Sequence, residues 1–153
     1  MELKVHIFQL NKLIGSFFDL VKFFIGNKFL ALSFGGTLGT VARYLVGVHS
    51  AKLFGVDFPY GTLIVNTVGS FILSFFMVLS TEKLSIDPSW RFLIAIGFCG
   101  AFTTMSTFTY ETFALFMEGM YLRVLLNILL NVSLPLTATF FGILCAKIIG
   151  EML

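Results

Sequence analysis

The sequence predicts an all-α integral membrane protein with four transmembrane helices, preceded by an amphipathic helix that lies in the membrane interface. Hydrophobic residues make up 58% of the 153 residues, and charged residues only 12%. A soluble domain of this size cannot bury so much apolar surface, so lipid must surround most of the chain. Because a spanning helix takes about 20 residues, the length predicts an interfacial helix over residues 1–27 and a four-helix domain over residues 28–153.

Charge and reactive side chains argue against several classes of protein. A formal charge of +2, scattered along the chain, is too small to predict nucleic-acid binding. Cys99 and Cys145 lie in apolar segments without a CxxC motif, so neither a disulfide nor a cysteine metal site is predicted. His6 and His49 have no serine, cysteine or carboxylate partner at a catalytic spacing. The sequence therefore does not predict an enzyme.

Residues 1–27 are predicted to form the interfacial helix. Lys12 and Asp19 interrupt what would be the apolar core of a signal peptide, and no small-residue cleavage site follows. At helical spacing Ile7, Leu10 and Ile14 fall on one face, while Lys12 and Asp19 fall largely on the other. This pattern is typical of a helix in the plane of the membrane surface. A helix packed on a partner protein is the open alternative.

The first span is predicted from about Phe29 to Phe54. Gly35, Gly39 and Arg43 recur every four residues and so share one face of the helix. The two glycines allow another helix to approach closely. A charged Arg43 inside a span is costly unless it is paired or faces water, which predicts a role in a vestibule. A side chain that snorkels to the membrane surface is the alternative.

The second span is predicted to open at Pro59 and to run to about Ser80. Polar residues recur along it at a spacing of four, which places them on one face: Thr62, Asn66, Ser70 and Ser74. A single interhelical hydrogen bond is a common role for an asparagine in a membrane. A whole polar stripe is more than one such bond requires, and it predicts a face in contact with water.

The third span is predicted to start after Asp87, which can cap it, and to end near Met117. Residues 97–111 of this span hold glycines, threonines, a serine and a glutamate where lipid ordinarily requires apolar side chains. Polar groups at membrane depth are costly unless they face protein or a water-filled path. This stretch is therefore predicted to line a path or to hold a ligand.

The fourth span, from Tyr121 to about Ile149, carries a second polar stripe. Asn127, Asn131 and Pro135 lie one turn apart and share a face. Proline has no backbone N–H and therefore leaves a carbonyl of the preceding turn without its helical donor. The stripe is predicted to meet the polar face of the second span.

Three motifs, in the same order and with all four spans at the same spacing, resemble those of the CrcB/Fluc fluoride channels. They cover three of the spans: Gly35-Gly36-x-x-Gly39-x-x-x-Arg43-Tyr44, Gly61-Thr62-Leu63-x-Val65-Asn66-x-x-Gly69-Ser70-Phe71 and Gly97-Phe98-Cys99-Gly100-x-x-Thr103-Thr104-x-Ser106-Thr107-Phe108.

The resemblance implies an antiparallel, dual-topology homodimer with two fluoride pores. It also implies passive export of fluoride through the prokaryotic plasma membrane, which relieves fluoride toxicity. The third helix would break at its glycine-threonine segment, predicted over Gly100 to Thr103. A structural sodium ion (Na⁺) at the dimer centre would be held by the backbone carbonyls of Gly100 and Thr103 from both subunits.

The resemblance also implies roles for individual side chains. Asn66 would be the pore amide and Phe108 one ring of a phenylalanine pair, while Arg43 and Glu111 would lie near the pore mouths. Asn127 and Asn131 fall where the family tends to place pore-facing hydroxyls. Met105 stands where the family has the other phenylalanine. It keeps the three-residue offset but lacks the positive ring edge that an aromatic offers to an anion.

The chemistry of fluoride agrees with these residue types. A strongly hydrated anion needs closely placed donors, whereas a full positive charge would bind it too tightly to release it. Neutral donors meet this requirement, and the sequence provides the amide of Asn66, the ring edge of Phe108 and the hydroxyls of Ser70, Ser106 and Thr107. Carbonyl oxygens likewise suit sodium, a hard cation, better than the thiol of Cys99 would.

The flanking charges are uneven for a dual-topology protein. One side of the predicted bundle has only Lys52 and Arg123, whereas the other has Lys4, Lys12, Lys22, Lys28, Lys83, Arg91 and Lys147. The positive-inside rule associates such a bias with a fixed orientation. Much of it comes from the interfacial helix, which would leave topology free if that helix binds the nearest leaflet in either orientation.

Two other functions are compatible with four short spans. A proton-coupled exporter of the multidrug type requires a membrane-embedded carboxylate, usually early in the chain, and here the only deep carboxylate is Glu111. A non-transporting accessory subunit would use the glycines and threonines for helix packing alone. It does not predict several polar stripes together with an interrupted helix.

Overall fold

The computed structural model describes residues 2–83 and 86–152, and all the regular structure in these ranges is helical. Four helices are long and apolar enough to cross a membrane, which confirms the predicted number of spans. They are the first span Lys28–Phe54, the second Tyr60–Glu82, the third Ser89–Met117 and the fourth Tyr121–Met152. Large apolar side chains cover their outer surface; Phe29, for example, is 81% exposed. Such a surface suits lipid as the solvent.

Helix α1, Glu2–Gly26, precedes the first span and contacts it. Asn27 separates the two helices, and its Oδ1 accepts hydrogen bonds from the N–H groups of Phe29 and Leu30 at 3.0 and 3.3 Å. Ile7, Leu10 and Ile14 are exposed, but so are Leu13 and Leu20, which lie outside the predicted apolar face. The placement of α1 in the membrane interface stays a prediction.

The first span is helix α2, Lys28–Phe54, and the loop after it turns at Gly55, whose φ of 80° favours glycine. The second span continues helix α3, Tyr60–Val78, into a π-helical turn, Leu79–Lys83. Helix α3 packs most extensively on the fourth span. A methyl group on Gly142 of the fourth span would overlap Ser74, so the absence of a side chain there allows this close packing.

The third span consists of several pieces. Helix α4, Ser89–Arg91, begins where the Asp87 carboxylate accepts a hydrogen bond from the Ser89 N–H at 2.8 Å, which lowers the pKa of that carboxyl below its usual value. A π-helical segment, Phe92–Cys99, follows and leads into helix α5, Gly100–Phe102. Thr103 and Thr104 are extended, and helix α6, Met105–Met117, completes the span.

The extended residues lie later than the sequence predicts. Gly100 is helical, with φ −62° and ψ −34°, whereas Thr103 has ψ 159° and Thr104 has φ −154°. The reason is chemical: the Thr104 side chain caps α6 by accepting a hydrogen bond from the Thr107 N–H, and an N-cap residue takes extended dihedral angles. Gly100 therefore belongs to the helical first half of the span, and the extended link consists of Thr103 and Thr104.

The first and third spans approach each other along a face of glycines. A methyl group on Gly35 would overlap the carbonyl of Leu93, and one on Gly39 would overlap the carbonyl of Phe98. A Cβ on Gly97 would lie 3.2 Å from the Cα of Gly35. The two backbones are in direct contact, and this contact positions the segment just before Thr103.

The fourth span, helix α7, Tyr121–Met152, contains Pro135 in its interior. It packs against both the second span and α6. The fourth span thereby brings its polar residues next to those of the second span and α6. Asn127, with 0% exposure, lies at the centre of this packing.

Candidate functional site

Polar groups from the second, third and fourth spans meet at the extended link of Thr103 and Thr104. Asn66 of the second span bonds the backbone of Thr104 twice: its Oδ1 accepts from the Thr104 N–H at 2.8 Å, and its Nδ2 donates to the Thr104 carbonyl at 3.2 Å. A primary amide pairs with a peptide unit in the same way as one β-strand pairs with another. Asn66 therefore gives the Thr104 N–H the acceptor that a helix would otherwise have provided, and adds a donor to the Thr104 carbonyl.

The Thr104 side chain organises the start of α6. Its hydroxyl accepts from the Thr107 N–H at 3.2 Å, lies 2.9 Å from the Thr107 hydroxyl and lies 3.3 Å from the Ser106 hydroxyl. Three hydroxyl groups thus cluster at the first turn, where the helix dipole favours negative charge. The cluster is neutral and rich in O–H donors, which is the chemistry predicted for Ser106 and Thr107.

Two backbone carbonyls lose their helical donors at the link. In an uninterrupted helix the Thr104 N–H would bond the carbonyl of Gly100, but it bonds Asn66 instead. The Thr107 N–H would bond the carbonyl of Thr103, but it bonds the Thr104 hydroxyl. Carbonyl oxygens relieved of their donors are suitable ligands for a hard cation, and these two carbonyls are the ones predicted for sodium.

The fourth span reaches this cluster through Asn131. The Asn66 Nδ2 donates to Asn131 Oδ1 at 3.1 Å, so both N–H bonds of Asn66 are used within the protein. The Asn131 Nδ2 donates in turn to Asn127 Oδ1 at 2.8 Å, and the Asn127 Nδ2 donates to the hydroxyl of Thr112 at 2.9 Å. The three asparagines hold one another's amides in fixed orientations.

A cavity of about 600 Å³ leads from one end of the bundle to the hydroxyl cluster. Tyr60 lines it near the loop after the first span, and Arg43, Thr104, Thr107 and Glu111 also line it. The structure thus brings Arg43 and Glu111 to the same cavity. Glu111 Oε2 is buried and has no hydrogen-bond partner among the described residues.

A second cavity, of about 360 Å³, lies on the other side of Glu111. Its wall includes Asp57, Glu118 and Arg123. The Arg123 guanidinium donates to the Asp57 carbonyl at 2.9 Å and lies 3.9 Å from the Asp57 carboxylate, so it ties the loop after the first span to the fourth span. Glu111 borders both cavities.

Of the eight predicted pore residues only Thr107 lines one of these two cavities, and seven line neither: Asn66, Ser70, Met105, Ser106, Phe108, Asn127 and Asn131. Phe108 is buried, at 8% exposure, whereas Met105 is 69% exposed on the surface of the subunit. Asn127 is fully buried and takes part only through its hydrogen bonds. Within one subunit, Thr107 is therefore the predicted donor that lines the cavity, and the others lie behind it or on the subunit surface.

Sequence reasoning did not find Thr104 and Thr112 as individual site residues. Thr104 carries a recognisable signal, because a threonine just before a helix is a preferred N-cap. Thr112 carries none: its importance comes from the contact with Asn127, 15 positions away in the chain. Among the described residues, no three histidine, cysteine, aspartate or glutamate side chains are placed to hold a metal ion together.

Comparison with known proteins gives a consistent result. Residues 30–143 match the family described as CrcB-like protein, Camphor Resistance (CrcB). A protein of Sulfurihydrogenibium sp. named fluoride-specific ion channel FluC is 57% identical over 123 residues, which cover 80% of this chain and 99% of that protein. Proteins of the same name from Koribacter versatilis and Legionella pneumophila are 46% and 42% identical, over 73% and 78% of this chain and 89% of each relative.

Proposed function

The chain belongs to the CrcB family, and from this premise we propose that it is a passive, fluoride-selective ion channel of the cell membrane. It is a membrane transport protein and not an enzyme. The observation that supports the proposal best is the cavity that Arg43 shares with the neutral hydroxyls of Thr104 and Thr107.

Each part of this path has a task in anion conduction. Arg43 raises the local concentration of anions in the cavity that it lines, without needing to contact the ion. The hydroxyls of Thr104 and Thr107, which line the cavity, replace water around fluoride, because an O–H group is a compact neutral donor. Neutral donors allow release as well as entry. Larger halides are excluded by the narrowness of a path bounded by closely packed helices.

Asn66 contributes to the path mainly by holding it open. Both of its N–H bonds are directed to acceptors within the protein, at 3.2 and 3.1 Å. We assign to Asn66 the task of keeping Thr104 extended, so that the hydroxyl cluster faces the cavity. Fluoride can take one of these N–H bonds only by displacing Thr104 or Asn131.

Fluoride efflux from liposomes that contain the purified protein tests the proposed function. A fluoride electrode should record rapid loss of internal fluoride once a potassium ionophore dissipates the charge, whereas chloride should remain trapped. Empty liposomes control for leak. Fluoride efflux no faster than from empty liposomes, or equal efflux of chloride, would contradict the proposal. Efflux that requires no proton gradient distinguishes a channel from a coupled exporter.

We propose further that the channel is an antiparallel homodimer with two pores and a central sodium ion. Met105 is 69% exposed, and an apolar groove of about 530 Å³, lined by Phe108, Phe113 and Phe116 among others, lies open on the same side of α6. A second subunit would cover both. The carbonyls of Gly100 and Thr103, relieved of their helical donors, fit a sodium ion between the subunits, where it would offset carbonyl repulsion and hold the links together.

Native mass spectrometry tests this assembly directly. The protein released gently from detergent should have twice the chain mass of 17.0 kDa and retain one alkali ion. A monomer, or a dimer without a bound ion, would count against the assembly or the sodium site respectively. Protease-cleavable tags accessible from one side of the membrane test dual topology in prokaryotic cells: about half of the copies should be cleaved, and complete cleavage would contradict dual insertion.

Glu111→Gln separates the channel from the proton-coupled exporter. In an exporter the carboxylate carries the coupling proton, so transport should be lost entirely. In the channel Glu111 borders the two cavities and adjusts the local field, so fluoride efflux should change by less than about tenfold, since one partly exposed charge contributes roughly 1 kcal/mol. Efflux assays that compare the unmodified protein with Glu111→Gln distinguish the two functions. Glu118→Gln, at the second cavity, is a matched control.

Removal of residues 2–26 tests the interfacial helix. The family match begins at residue 30, and helix α1 contacts chiefly the first span, so the channel domain should conduct fluoride without it. A peptide of residues 2–26 should bind to the surface of anionic vesicles on its own, as an interfacial helix does. A truncated protein that no longer conducts would show that α1 belongs to the channel structure.

A further inference from the structure

The side-chain hydrogen bonds behind the cavity form one directional series. The Thr104 N–H donates to Asn66 Oδ1, and the Asn66 Nδ2 donates to Asn131 Oδ1. The Asn131 Nδ2 then donates to Asn127 Oδ1, and the Asn127 Nδ2 donates to Thr112 Oγ1. The Thr112 hydroxyl donates to the carbonyl of Phe108 at 2.7 Å, which ends the series.

The direction of this series is set at its two ends by backbone groups. A peptide N–H, that of Thr104, can only donate, and a peptide carbonyl, that of Phe108, can only accept. Every amide between them has one orientation that satisfies both neighbours, and a flipped amide would place N–H against N–H or oxygen against oxygen. Because Asn127 is fully buried, water is not available to compensate for a flipped amide at that point.

Thr112 is the residue on which the far end of the series depends. Its hydroxyl proton is directed to the Phe108 carbonyl, so only lone pairs remain toward Asn127. These lone pairs oblige Asn127 to present its Nδ2 to Thr112 and its Oδ1 to Asn131. Asn131 and Asn66 are held in the same direction by backbone groups as well, because the Asn131 Nδ2 also donates to the Asn127 carbonyl at 3.2 Å and Asn66 pairs with the Thr104 peptide. Thr112 therefore supports an orientation that these groups share. Bonds in such a series polarise one another, so the loss of the end weakens the whole.

We propose that Thr112 is a positioning residue for fluoride permeation: through Asn127 and Asn131 it stabilises the orientation of the Asn66 amide and hence the shape of the Thr103–Thr104 link. The consequence for permeation rests on the proposed function, whereas the consequence for the amides does not. Thr112 itself borders the apolar groove beside Phe108 and not the cavity that leads to Thr104. Its effect on the ion is therefore indirect.

The test compares two substitutions of Thr112. If Thr112 acts through packing, valine should be the milder change; if it acts through its hydrogen bonds, serine should be the milder change. Thr112→Val keeps the shape and removes the hydroxyl, whereas Thr112→Ser keeps the hydroxyl and removes a methyl group. We expect fluoride efflux from liposomes to fall about tenfold in Thr112→Val, the effect of one lost buried hydrogen bond. Thr112→Ser should stay within about twofold of the unmodified protein. Val tolerated better than Ser would overturn the proposal.

A second measurement follows the asparagine side-chain amides directly and does not depend on fluoride transport. In protein labelled with ¹⁵N-asparagine, Thr112→Val should shift the side-chain NH₂ resonances of Asn127, Asn131 and Asn66. The matched control, Thr137→Val, removes an exposed hydroxyl that bonds only Ser133 of its own helix, at 2.8 Å, and should shift none of them. An unchanged Asn66 resonance in Thr112→Val would overturn the proposal. No efflux from the unmodified protein would refute the channel function, and the resonances would still decide whether Thr112 orients Asn66.

Discussion

Replacement of Asn66 by aspartate should reduce fluoride efflux by more than about a hundredfold, the largest loss expected from any single side chain. The new oxygen would take the place of Nδ2 and face two acceptors, the Thr104 carbonyl and Asn131 Oδ1, which now receive its hydrogen bonds. Two lost hydrogen bonds, together with the repulsion between the new oxygen and the two acceptors it faces, account for roughly 3 kcal/mol. The negative charge also repels the permeating anion. The liposome efflux assay measures both effects together.

Asn27→Asp is the matched control for this substitution. Asn27 uses only its Oδ1, which accepts from two N–H groups at the start of the first span, and an aspartate retains that acceptor. Its charge lies at a helix N-terminus, where it is favourable. Efflux should therefore be unchanged in Asn27→Asp. Unchanged efflux in Asn66→Asp would mean that Asn66 neither holds the link nor contributes to the path.

The second large effect concerns Gly39→Ala, which should prevent the native approach of the first and third spans. The added methyl group would overlap the carbonyl of Phe98 and lie 3.0 Å from the Phe102 nitrogen. Both are backbone atoms of a packed helix and cannot rotate away. Overpacking of this kind costs about 1–3 kcal/mol, and more where the backbone must shift. The midpoint of thermal unfolding in detergent should fall by several degrees, on the order of 5 °C, and fluoride efflux should fall with it.

Gly36→Ala provides the control for Gly39→Ala. Gly36 lies on the same helix, and a methyl group there meets nothing within 4 Å. Alanine has a higher helix propensity than glycine, by up to about 1 kcal/mol, so the unfolding midpoint should hold or rise. If the two variants unfold at the same temperature, the glycine face is not a close contact between the spans.

The parts of the fold that the sequence predicted are those determined by local composition. Four apolar segments of sufficient length define four spans, whatever their packing. The four-residue spacing of Gly35 and Gly39 indicates a close helix contact, and the backbone of the third span lies there. The polar stripe of the second span and the asparagines of the fourth indicate a shared polar interior. Asn66 and Asn131 do meet, 65 positions apart in the chain.

The parts that the sequence could not predict depend on contacts between spans. The π-helical form of Phe92–Cys99 leaves no trace in a uniformly apolar sequence, because such side chains are compatible with either helical hydrogen-bonding pattern. The extended residues were expected from Gly100 on, where glycine suggests a break, but an amide from another span and a threonine cap determine their place at Thr103 and Thr104. The direction of each asparagine amide likewise depends on partners in other spans.

The pairing of Asn66 with Thr104 also constrains the order in which the protein is made. The second span is synthesised before the third, so the amide that will bond the extended link is already in the membrane when Thr104 arrives. The Asn131 acceptor for the second Asn66 N–H comes only with the fourth span, and until then the Asn66 Nδ2 bonds the Thr104 carbonyl alone. An unpaired group in the bilayer core costs several kcal/mol. The order of synthesis therefore limits the time during which the extended link of Thr103 and Thr104 lacks its hydrogen-bond partners.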